Sequence, residues 1–509
     1  MKTKFIAGLA CILMLASCSD FLEHEPATDF TEQQVFSDLD RVEPLLLGVI
    51  TGWRNLQKDR PGLRTTLGTD EGQQGAYQVM TDADQAELDL YNNYKGAENN
   101  AITGHWDDRW PLLVIASKAV YYLPLNTQDN AQQRETLLGE ASFLRAALMF
   151  ELARYWGPIP INDAGRQLEL GTGRQPLDVV YAQIIGDLQR AIEKLPATQS
   201  DHSLPTKWVA QALLGKVYMS AQEESGFRDY NLAKNMFEGI INSGQFSLLP
   251  SYANVFSPDF SNNQESLYEF QFNNTYPDNN QVQWQTGSRA IANVDGNCYF
   301  GGYDLIVATQ YYYKNATDGG IWETGDLRKD ASIRYDFRYR GSVPAIPAGF
   351  GGDELDPHCK KYEDLRTQGS QSFWYSGKNK AYIRYSDVLL SYAECLNELG
   401  QTGTAEGFVN QVRTRAFGGN LPSGMAWSGT SQSDFRVKIL DERMRELAFE
   451  GWRRIDLLRT GKLVELVKTR NKWARQNGTI SETHTRYPIP LKEIKTNDEI
   501  GPGDQNPGY

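Results

Sequence analysis

A run of acids and arginines between residues 441 and 456 is the part of this sequence that most resembles catalytic machinery. Two carboxylates on either side of a glycosidic bond are the arrangement used for glycoside hydrolysis. These acids, however, precede arginines by three or four residues, which is the spacing of ion pairs on one face of a helix. The pairs are Asp441–Arg445, Glu450–Arg454, Glu442–Arg445 and Glu450–Arg453. Because a neighbouring arginine lowers the pKa of a carboxyl group, such an acid is a poor proton donor, and we predict a structural ladder here.

The sequence contains no recognisable metal, cofactor or nucleophile motif. The histidines are His24, His105, His202, His358 and His484. No two of them are four residues apart, and there is no HExxH, GxSxG or phosphate-binding glycine loop. Outside the N-terminal segment only Cys298, Cys359 and Cys395 remain, without CxxC spacing, so at most one disulfide can form. Metal and nucleophile chemistry therefore have no support in the sequence, and we expect no metal and no cofactor.

The charge balance argues against nucleic acid as a partner. The 509 residues include 51 Lys and Arg against 64 Asp and Glu, which gives a formal net charge of −13 at pH 7. Binding to nucleic acid requires a basic face that neutralises phosphates. Aromatic residues are the unusual component of the composition, with 11 Trp, 26 Tyr and 21 Phe.

Two segments combine aromatic rings with amides and lack helical periodicity. Residues 268–322 hold twelve aromatic residues, twelve Asn or Gln and only seven charged residues in 55 positions. Residues 62–105 have a similar composition, rich in Asn, Gln, Asp and Gly around three tyrosines. This composition is typical of long ordered loops that rest on a scaffold. We predict a loop-rich ligand-binding region, mainly in residues 62–105 and 242–380.

Helices must carry these loops, and apolar residues spaced three and four apart indicate where they lie. We predict helices over 137–155, 178–195, 205–219, 230–241, 386–399, 405–416 and 434–449. Gly157-Pro158 should end the first helix, and Asp178 should cap the start of the second. The helices come in pairs of similar length, which is typical of a helical repeat.

One of these pairs resembles the tetratricopeptide pattern. It carries Leu214-Gly215-x-x-Tyr218 followed by Ala233-x3-Phe237, although Gln211 replaces the tryptophan of that pattern. Small side chains at Gly215 and Ala233 would let the two helices approach closely. The sequence therefore predicts a mostly α protein, a tetratricopeptide-like helical repeat scaffold with a loop-rich irregular region packed on it. The scaffold should occupy mainly residues 30–61, 106–241 and 381–470.

The N-terminus has the features of a secretory signal. Lys2 and Lys4 precede an apolar run over residues 5–16, which is too short to span a membrane. It ends at Leu15-Ala16-Ser17-Cys18, which resembles a bacterial lipobox whose cysteine becomes the lipidated N-terminus. We predict a signal peptide over residues 1–17 and lipidation of Cys18. The alternative is a plain signal peptide followed by an incidental cysteine.

Blocks of sequence distributed over residues 18–509 resemble the SusD/RagB family of outer-membrane lipoproteins. The blocks are Cys18–Phe36, Trp106 with Trp110, Phe143–Pro160, Val180–Ala191, Asp326-x-Arg328, Arg384–Glu394, Val409–Ala416, Glu442–Leu457, Tyr487–Pro490 and Gln505–Tyr509. Each block is short, but they follow the family's order, so the resemblance is specific. It covers the whole of residues 18–509 as a single unit and departs from the family only in the loops.

The resemblance implies a lipid-anchored protein of the outer membrane, at the cell surface. The implied role is not enzymatic: such a protein captures an oligosaccharide or polysaccharide and delivers it to a SusC-like TonB-dependent transporter. Two alternatives remain: a peptide-capturing member of the same family, and a secreted glycoside hydrolase on a helical scaffold. The composition of the loops agrees with glycan capture, because sugars offer C–H faces to aromatic rings and hydroxyls to planar amides.

Six aromatic residues from the two loop segments are our candidates for ligand contact. They are Tyr77, Tyr91, Tyr94, Trp284, Tyr299 and Tyr303. Trp284 is preferred, since amides flank it and no helical stripe would bury it, so we expect a solvent-exposed ring. Tyr311, Tyr312 and Tyr313 are excluded, because they should form a short helix whose rings alternate between core and solvent. The tryptophans Trp106, Trp110, Trp156 and Trp208 lie on helical stripes and should belong to the core.

Overall fold

The structure, a computed structural model, describes residues 31–127, 130–161, 171–367 and 374–509. In these ranges, numbered in chain order, the α-helices are α1 Glu32–Phe36, α2 Leu39–Asn55, α3 Ala76–Thr81, α4 Ala83–Leu90, α5 Asn100–Asp107, α6 Trp110–Tyr122, α7 Ala131–Trp156, α8 Leu177–Lys194, α9 Lys207–Ser220, α10 Tyr230–Asn242, α11 Tyr252–Val255, α12 Val282–Gln285, α13 Arg289–Val294, α14 Gln310–Tyr313, α15 Arg328–Ser332, α16 Tyr385–Glu398, α17 Thr402–Ala416, α18 Gln432–Leu447, α19 Arg453–Arg459, α20 Leu463–Arg470, α21 Lys472–Asn477 and α22 Leu491–Thr496. The strands are β1 Gly72–Gln73, β2 Ile159–Pro160, β3 Arg174–Gln175, β4 Ser266–Phe270, β5 Val307–Ala308, β6 Ile333–Arg334, β7 His358–Cys359 and β8 Lys380–Arg384.

The long helices form a continuous scaffold in which neighbours along the chain pack side by side. Helix α7 packs against α6 and α8, α9 packs against α8 and α10, and α16 packs against α10, α17 and α18. A Cβ atom at Gly215 would lie 2.7 Å from the ring of Phe237, so α9 and α10 can meet this closely only with glycine at that position. The predicted tetratricopeptide-like pairing is confirmed.

The predicted helices are all present, with small differences at their ends. The first predicted helix extends from Ala131 to Trp156 and ends at Gly157, whose φ of 76° suits glycine. Helix α8 begins at Leu177 with Pro176 at its cap, so the prediction that Asp178 caps it is wrong. Proline needs no amide donor at a helix start, and Asp178 instead lies in the first turn, where its charge favours the helix dipole.

Between residues 243 and 379 the regular elements are short. One sheet has the order β1–β5–β7–β6, and all its pairs are antiparallel. Strands β4 and β8 form a separate antiparallel pair with Phe270 opposite Lys380. Residues 62–105 were predicted as loops but contain α3, α4 and most of α5. Asp82 caps the start of α4 and Asn99 caps the start of α5, and each side chain accepts hydrogen bonds from backbone amides there.

Buried ion pairs join the scaffold to the irregular half, and we call this cluster the ionic junction. Its members are Arg328, Lys361, Arg384, Arg413 and Arg415 with Glu265, Asp326, Glu442, Glu446 and Glu450. Arg384 lies at its centre, where its guanidinium nitrogens are 2.6 Å from Glu265, 3.0 Å from Glu446 and 2.8 Å from Glu450. Burial acts to raise the pKa of the Glu442 and Glu446 carboxyls, but three arginines around each of them lower it further than burial raises it. The pKa of Glu442 is lowered to about 2.

The predicted ladder at 441–456 is therefore structural, but most of its pairs are different. Only Glu442–Arg445 is confirmed, at 2.7 Å. The pairs Glu450–Arg454 and Glu450–Arg453 are wrong, because α18 ends at Leu447 and the chain turns at Phe449 and Gly451, both with positive φ. The pair Asp441–Arg445 is also wrong: both residues lie within α18, but Arg445 bonds Glu442 and the Ile321 carbonyl instead. The partners lie far away in sequence instead: Asp441 pairs with Arg470, Glu450 with Arg384 and Lys361, and Arg453 with Asp70.

The remaining structural predictions concern cysteines and membrane spans. Cys298, Cys359 and Cys395 are buried and unpaired. None of the helices in the described ranges is both long and apolar enough to cross a membrane. The predicted signal peptide and Cys18 lie outside the described residues.

Candidate ligand-binding site

Five aromatic rings from three separate segments form a continuous row, which we call the aromatic strip. Its members, in order of contact, are Tyr276, Tyr375, Trp374, Trp284 and Tyr303. Neighbouring ring centroids are 5.3 to 6.2 Å apart. Tyr276 and Trp374 are 68% and 38% exposed, so part of the strip faces solvent. Rings that are held in contact yet partly exposed can stack on the flat face of a ligand.

Two arginines extend the strip at its Tyr303 end. The guanidinium of Arg60 lies 5.5 Å from the Tyr303 ring centroid. That of Arg289 lies 3.7 Å from Tyr77 and 5.0 Å from Phe350, and these two rings are 5.5 Å apart. The Nε atom of Arg289 is buried without a hydrogen-bond partner in the described part of the chain. Arg289 is thus held by ring faces and keeps donor capacity that a ligand could use.

Close backbone contacts fix Trp284 relative to Tyr303. The amide of Tyr303 donates to the carbonyl of Trp284 at 2.9 Å, and the amide of Leu305 donates to Gln285 at 2.8 Å. A Cβ atom at Gly302 would lie 2.1 Å from the Trp284 carbonyl oxygen, so the two segments can approach this closely only with glycine there. These backbone contacts, which we call the frame, fix the positions of Trp284 and Tyr303 relative to each other.

Asp304 connects this frame to the segment that carries Tyr77. Its carbonyl accepts the amide of Gly75 at 3.0 Å, just before α3. Its carboxylate Oδ1 accepts the amide of Arg289 at 2.8 Å and contacts Nε2 of His358 at 2.8 Å. Burial raises the pKa of the Asp304 carboxyl to about 6, although His358 acts to lower it. One buried residue, through its carbonyl and its carboxylate, thus links the segments that carry Tyr77, Arg289 and Tyr303.

The structure brings three of the six predicted residues together, Tyr77, Trp284 and Tyr303. The expectation of a solvent-exposed Trp284 is wrong, since it is half-buried between Tyr303 and Trp374. Sequence reasoning missed Tyr276, Trp374 and Tyr375. The aromatic run Phe373-Trp374-Tyr375 was a usable signal, and it lies within the predicted loop-rich region.

The other three predicted residues lie elsewhere, and Tyr91 is a correction. Tyr91 is 4% exposed, and its hydroxyl is engaged by the Gly68 carbonyl and by Arg454, so its ring offers no face to a ligand. Tyr94 is 77% exposed and makes no ring contact with the strip among the described residues. Tyr299 packs with Phe300 and with Arg334 beside a small core cluster around Ile291.

The aromatic residues that we excluded are buried or half-buried, so the core assignment holds fully for Trp106 and Trp156 and only partly for Trp110 and Trp208. Helix α14 buries Tyr312 completely and leaves Tyr311 and Tyr313 half-buried. Trp106 and Trp156 are fully buried, whereas Trp110 and Trp208 are half-buried and pack against the same core. Trp208 thus retains an accessible part.

Carboxylates near the strip are engaged by neighbouring side chains. Gln285 donates to Asp59, Arg54 donates to Asp278, and Arg60 lies 3.2 Å from Asp82. In the described ranges no three His, Cys, Asp or Glu residues form a cluster that could hold a metal ion. The arrangement is suited to stacking and hydrogen bonding with a neutral ligand.

Comparison with known sequences identifies the family of this chain. The sequence model of the SusD family matches residues 264–509, and the model described as "starch-binding associating with outer membrane" matches residues 20–219. SusD-like protein P25 of Formosa agariphila is 24% identical over 99% of both chains, and its SusD-like protein P2 is 27% identical over the full length of both. The chain belongs to the SusD-like family. The starch-binding protein SusD of Bacteroides thetaiotaomicron is a more distant relative, 22% identical over the full length of both chains.

Solved structures show that the fold is also SusD-like. A laminarin-binding SusD-like protein superimposes with a TM-score of 0.75 at 22% identity, covering 92% of this chain and 99% of its own. Surface glycan-binding protein A from Bacteroides thetaiotaomicron, in complex with laminarihexaose, gives 0.74 at 19% identity with the same coverage. The sequence blocks that carry the family resemblance in this SusD-like chain include Arg384, Arg415 and Glu446 of the ionic junction, but no ring of the strip.

Proposed function

We propose that this SusD-like protein captures a glycan on the aromatic strip and delivers it to a SusC-like TonB-dependent transporter. The observation that carries the first step is the strip itself: five rings in contact, partly exposed, on a backbone frame and flanked by two arginines. Starch and laminarin are named as ligands of its relatives and structural neighbours, which supports a glycan as the ligand class. Delivery to a transporter rests on the family resemblance.

Capture of a peptide is the second candidate. Aromatic clefts bind peptides as well as sugars, and Arg60 and Arg289 at one end of the strip could accept a carboxylate. A neutral glycan is favoured because Arg60 is already paired with Asp82, and the two arginines lie against ring faces instead of projecting as free charges. The third candidate, glycoside hydrolysis, needs two carboxylates that flank one bond. Asp59, Asp82 and Asp278, which lie beside the strip, are instead held by Gln285, Arg60 and Arg54.

A binding experiment with one substituted tryptophan tests the proposal. The wild-type protein is screened against neutral polysaccharides, laminarihexaose and peptides, and the best ligand is then titrated against Trp284→Ala by calorimetry. Loss of one stacking ring is worth about 1–2 kcal/mol, so Kd should rise about tenfold or more. Trp473→Ala is the matched control, because Trp473 is also half-buried but lies against Lys472 outside the strip.

The outcome separates the three candidates. A peptide that binds in place of every glycan would favour the second candidate, and new reducing ends after incubation would favour the third. Equal affinity of Trp284→Ala and Trp473→Ala for the ligand would show that the strip is not the site.

Anchoring and partnership need separate tests. We propose that lipid on Cys18 holds the protein at the outer membrane, on the outer face, and that more than one acyl chain is involved, because a single chain binds only marginally. Cys18→Ala should release the protein into the soluble fraction. Gentle extraction of native membranes should co-purify a TonB-dependent transporter, and recovery of a lone monomer would contradict the delivery step.

A further inference from the structure

A second cavity lies on the opposite part of the β4–β8 pair from the strip. Tyr276 and Trp374 belong to the segments at the end where Phe270 meets Lys380, Tyr276 after β4 and Trp374 before β8. The cavity instead lies along residues 266–269 of β4, the loop before α9 and the segment after α10. Its volume is about 220 Å³. This is room for a single sugar ring and too little for a folded segment of protein.

The aromatic part of this cavity is built around Trp208. The ring is half-buried, lies 6.4 Å from Phe246 in an edge-on arrangement, and has the Lys207 ammonium 4.4 Å from its centroid. Tyr268 of β4 also lines the cavity, and its hydroxyl donates to the Ser203 carbonyl at 2.8 Å, which ties β4 to the loop before α9. The cavity thus has an aromatic wall whose position is fixed from two sides.

The polar lining is neutral to weakly acidic. Gln199, His202, Gln245 and Asn262 contribute side chains, and Glu269 is the one carboxylate among the described residues that line the cavity. No Lys or Arg is among these lining residues. The indole N–H of Trp208 and the hydroxyl of Ser266 are buried without a hydrogen-bond partner in the described ranges. Unpaired buried polar atoms cost free energy, which a hydroxylated ligand can recover.

Trp473 shows what the same local arrangement looks like when it is complete. Lys472 lies 4.4 Å from the Trp473 ring, the same separation as in the Lys207–Trp208 pair. The Trp473 N–H, however, donates to the Gln74 carbonyl at 2.7 Å. A lysine next to a tryptophan therefore does not by itself leave the indole N–H without a partner.

We propose that this cavity is a second carbohydrate site, separate from the aromatic strip, that binds one neutral sugar ring. Trp208 supplies an aromatic face, with the Lys207 ammonium on one side of the ring, and the side-chain amides of Gln199 and Gln245 supply hydrogen bonds. The site holds its ligand without cleaving it. Hydrolysis needs a second carboxylate, and Glu269 accepts hydrogen bonds from the backbone N–H of Asn262 at 3.1 Å and from Asn379 Nδ2 at 3.0 Å.

Fluorine NMR on the whole protein tests this proposal. The protein is labelled with 5-fluorotryptophan, and conservative Trp208→Phe, Trp284→Phe, Trp374→Phe and Trp473→Phe variants assign the four signals. Glucose, galactose, mannose, xylose and laminarihexaose are then titrated. We expect at least one of them to move the Trp208 signal with an apparent Kd near about 1 mM. The Trp473 signal should stay in place, and the Trp208 response should persist in the Trp284→Ala background.

A second reporter keeps the test independent of the fold of Trp208→Phe. His202 is exposed on the rim of the cavity, so His202→Gln should fold normally and assign its imidazole signal. This signal should move with the same sugar. A neutral tripeptide is titrated as well. The proposal would be overturned if no sugar shifts the Trp208 and His202 signals, or if only the tripeptide shifts them. A Trp208 response that disappears in Trp284→Ala would also overturn it, because there would then be one site. The signals of Trp284 and Trp374 report separately whether the aromatic strip binds the sugar.

Discussion

Arginine has opposite surroundings in the ionic junction and at the aromatic strip. Arg384 lies among Glu265, Glu446 and Glu450, all buried with it. The Arg289 guanidinium forms no ion pair among the described residues and lies instead against the rings of Tyr77 and Phe350. In the first setting all the charge is used to hold two halves of the chain together. In the second, ring faces hold the guanidinium in place, and its Nε has no hydrogen-bond partner among the described residues.

The largest expected effect comes from removing the central charge of the junction. Arg384→Met should lower the free energy of unfolding by about 3–5 kcal/mol, because it leaves three buried carboxylates without their shared partner. Denaturation in guanidinium chloride measures this. A loss below about 1 kcal/mol would show that the carboxylates find other partners and that the junction does not hold the halves together.

A pH titration distinguishes acids that are paired in the junction from one that is not. Burial raises the pKa of Glu71 from 4.5 to about 8, even though Arg453 acts to lower it. The folded protein therefore keeps a proton that the unfolded chain releases near pH 4.5, and stability from this group falls as pH rises from about 4.5 to about 8. Glu71→Gln should remove that loss, up to about 1.4 kcal/mol per pH unit relative to wild type. Parallel stability curves for the two proteins would contradict the prediction.

Arg289→Met should weaken binding while leaving the fold intact. A stacked, partly desolvated cation contributes about 1–2 kcal/mol, so the Kd for the ligand found with wild type should rise about tenfold. Calorimetry gives the affinity and thermal unfolding gives the stability of the same sample. If Arg289→Met instead unfolds at a much lower temperature and binds normally, Arg289 is a structural residue like Arg384 and the contrast between the regions fails.

The smallest effect should come from an arginine whose ion pair lies at the surface. The Arg436 side chain is 52% exposed and pairs with Glu398. Arg436→Met should change the free energy of unfolding by about 1 kcal/mol or less. It serves as the matched control for Arg384→Met, since both replace a paired arginine by the same residue. Equal losses in both variants would mean that burial is not what makes the junction strong.

The sequence predicted the scaffold well and the site in part, for different physical reasons. Helices α9 and α10 follow from local periodicity and from Gly215, which can be read within one stretch of chain. The strip depends on pairing across the fold: Asn280 donates to the Lys378 carbonyl at 3.0 Å although the two are 98 residues apart. No local pattern indicates that Tyr276 and Tyr375 become neighbours. The family blocks did not help, because those in the junction stabilise the fold, whereas the strip lies in loops that no family block covers.

Tyr276 and Trp374 are both attached to the β4–β8 strand pair, so the two segments that carry these rings can be exchanged between family members. Segment 271–280 follows β4 and segment 374–379 precedes β8. The two segments contact each other through the Asn280–Ser376 bridge. They can be exchanged together as one cassette while the junction and the helices stay as they are. A chimera that takes both segments from another family member should therefore acquire part of the donor's sugar selectivity, whereas exchange of one segment alone should separate Tyr276 from Tyr375 and give a weak binder.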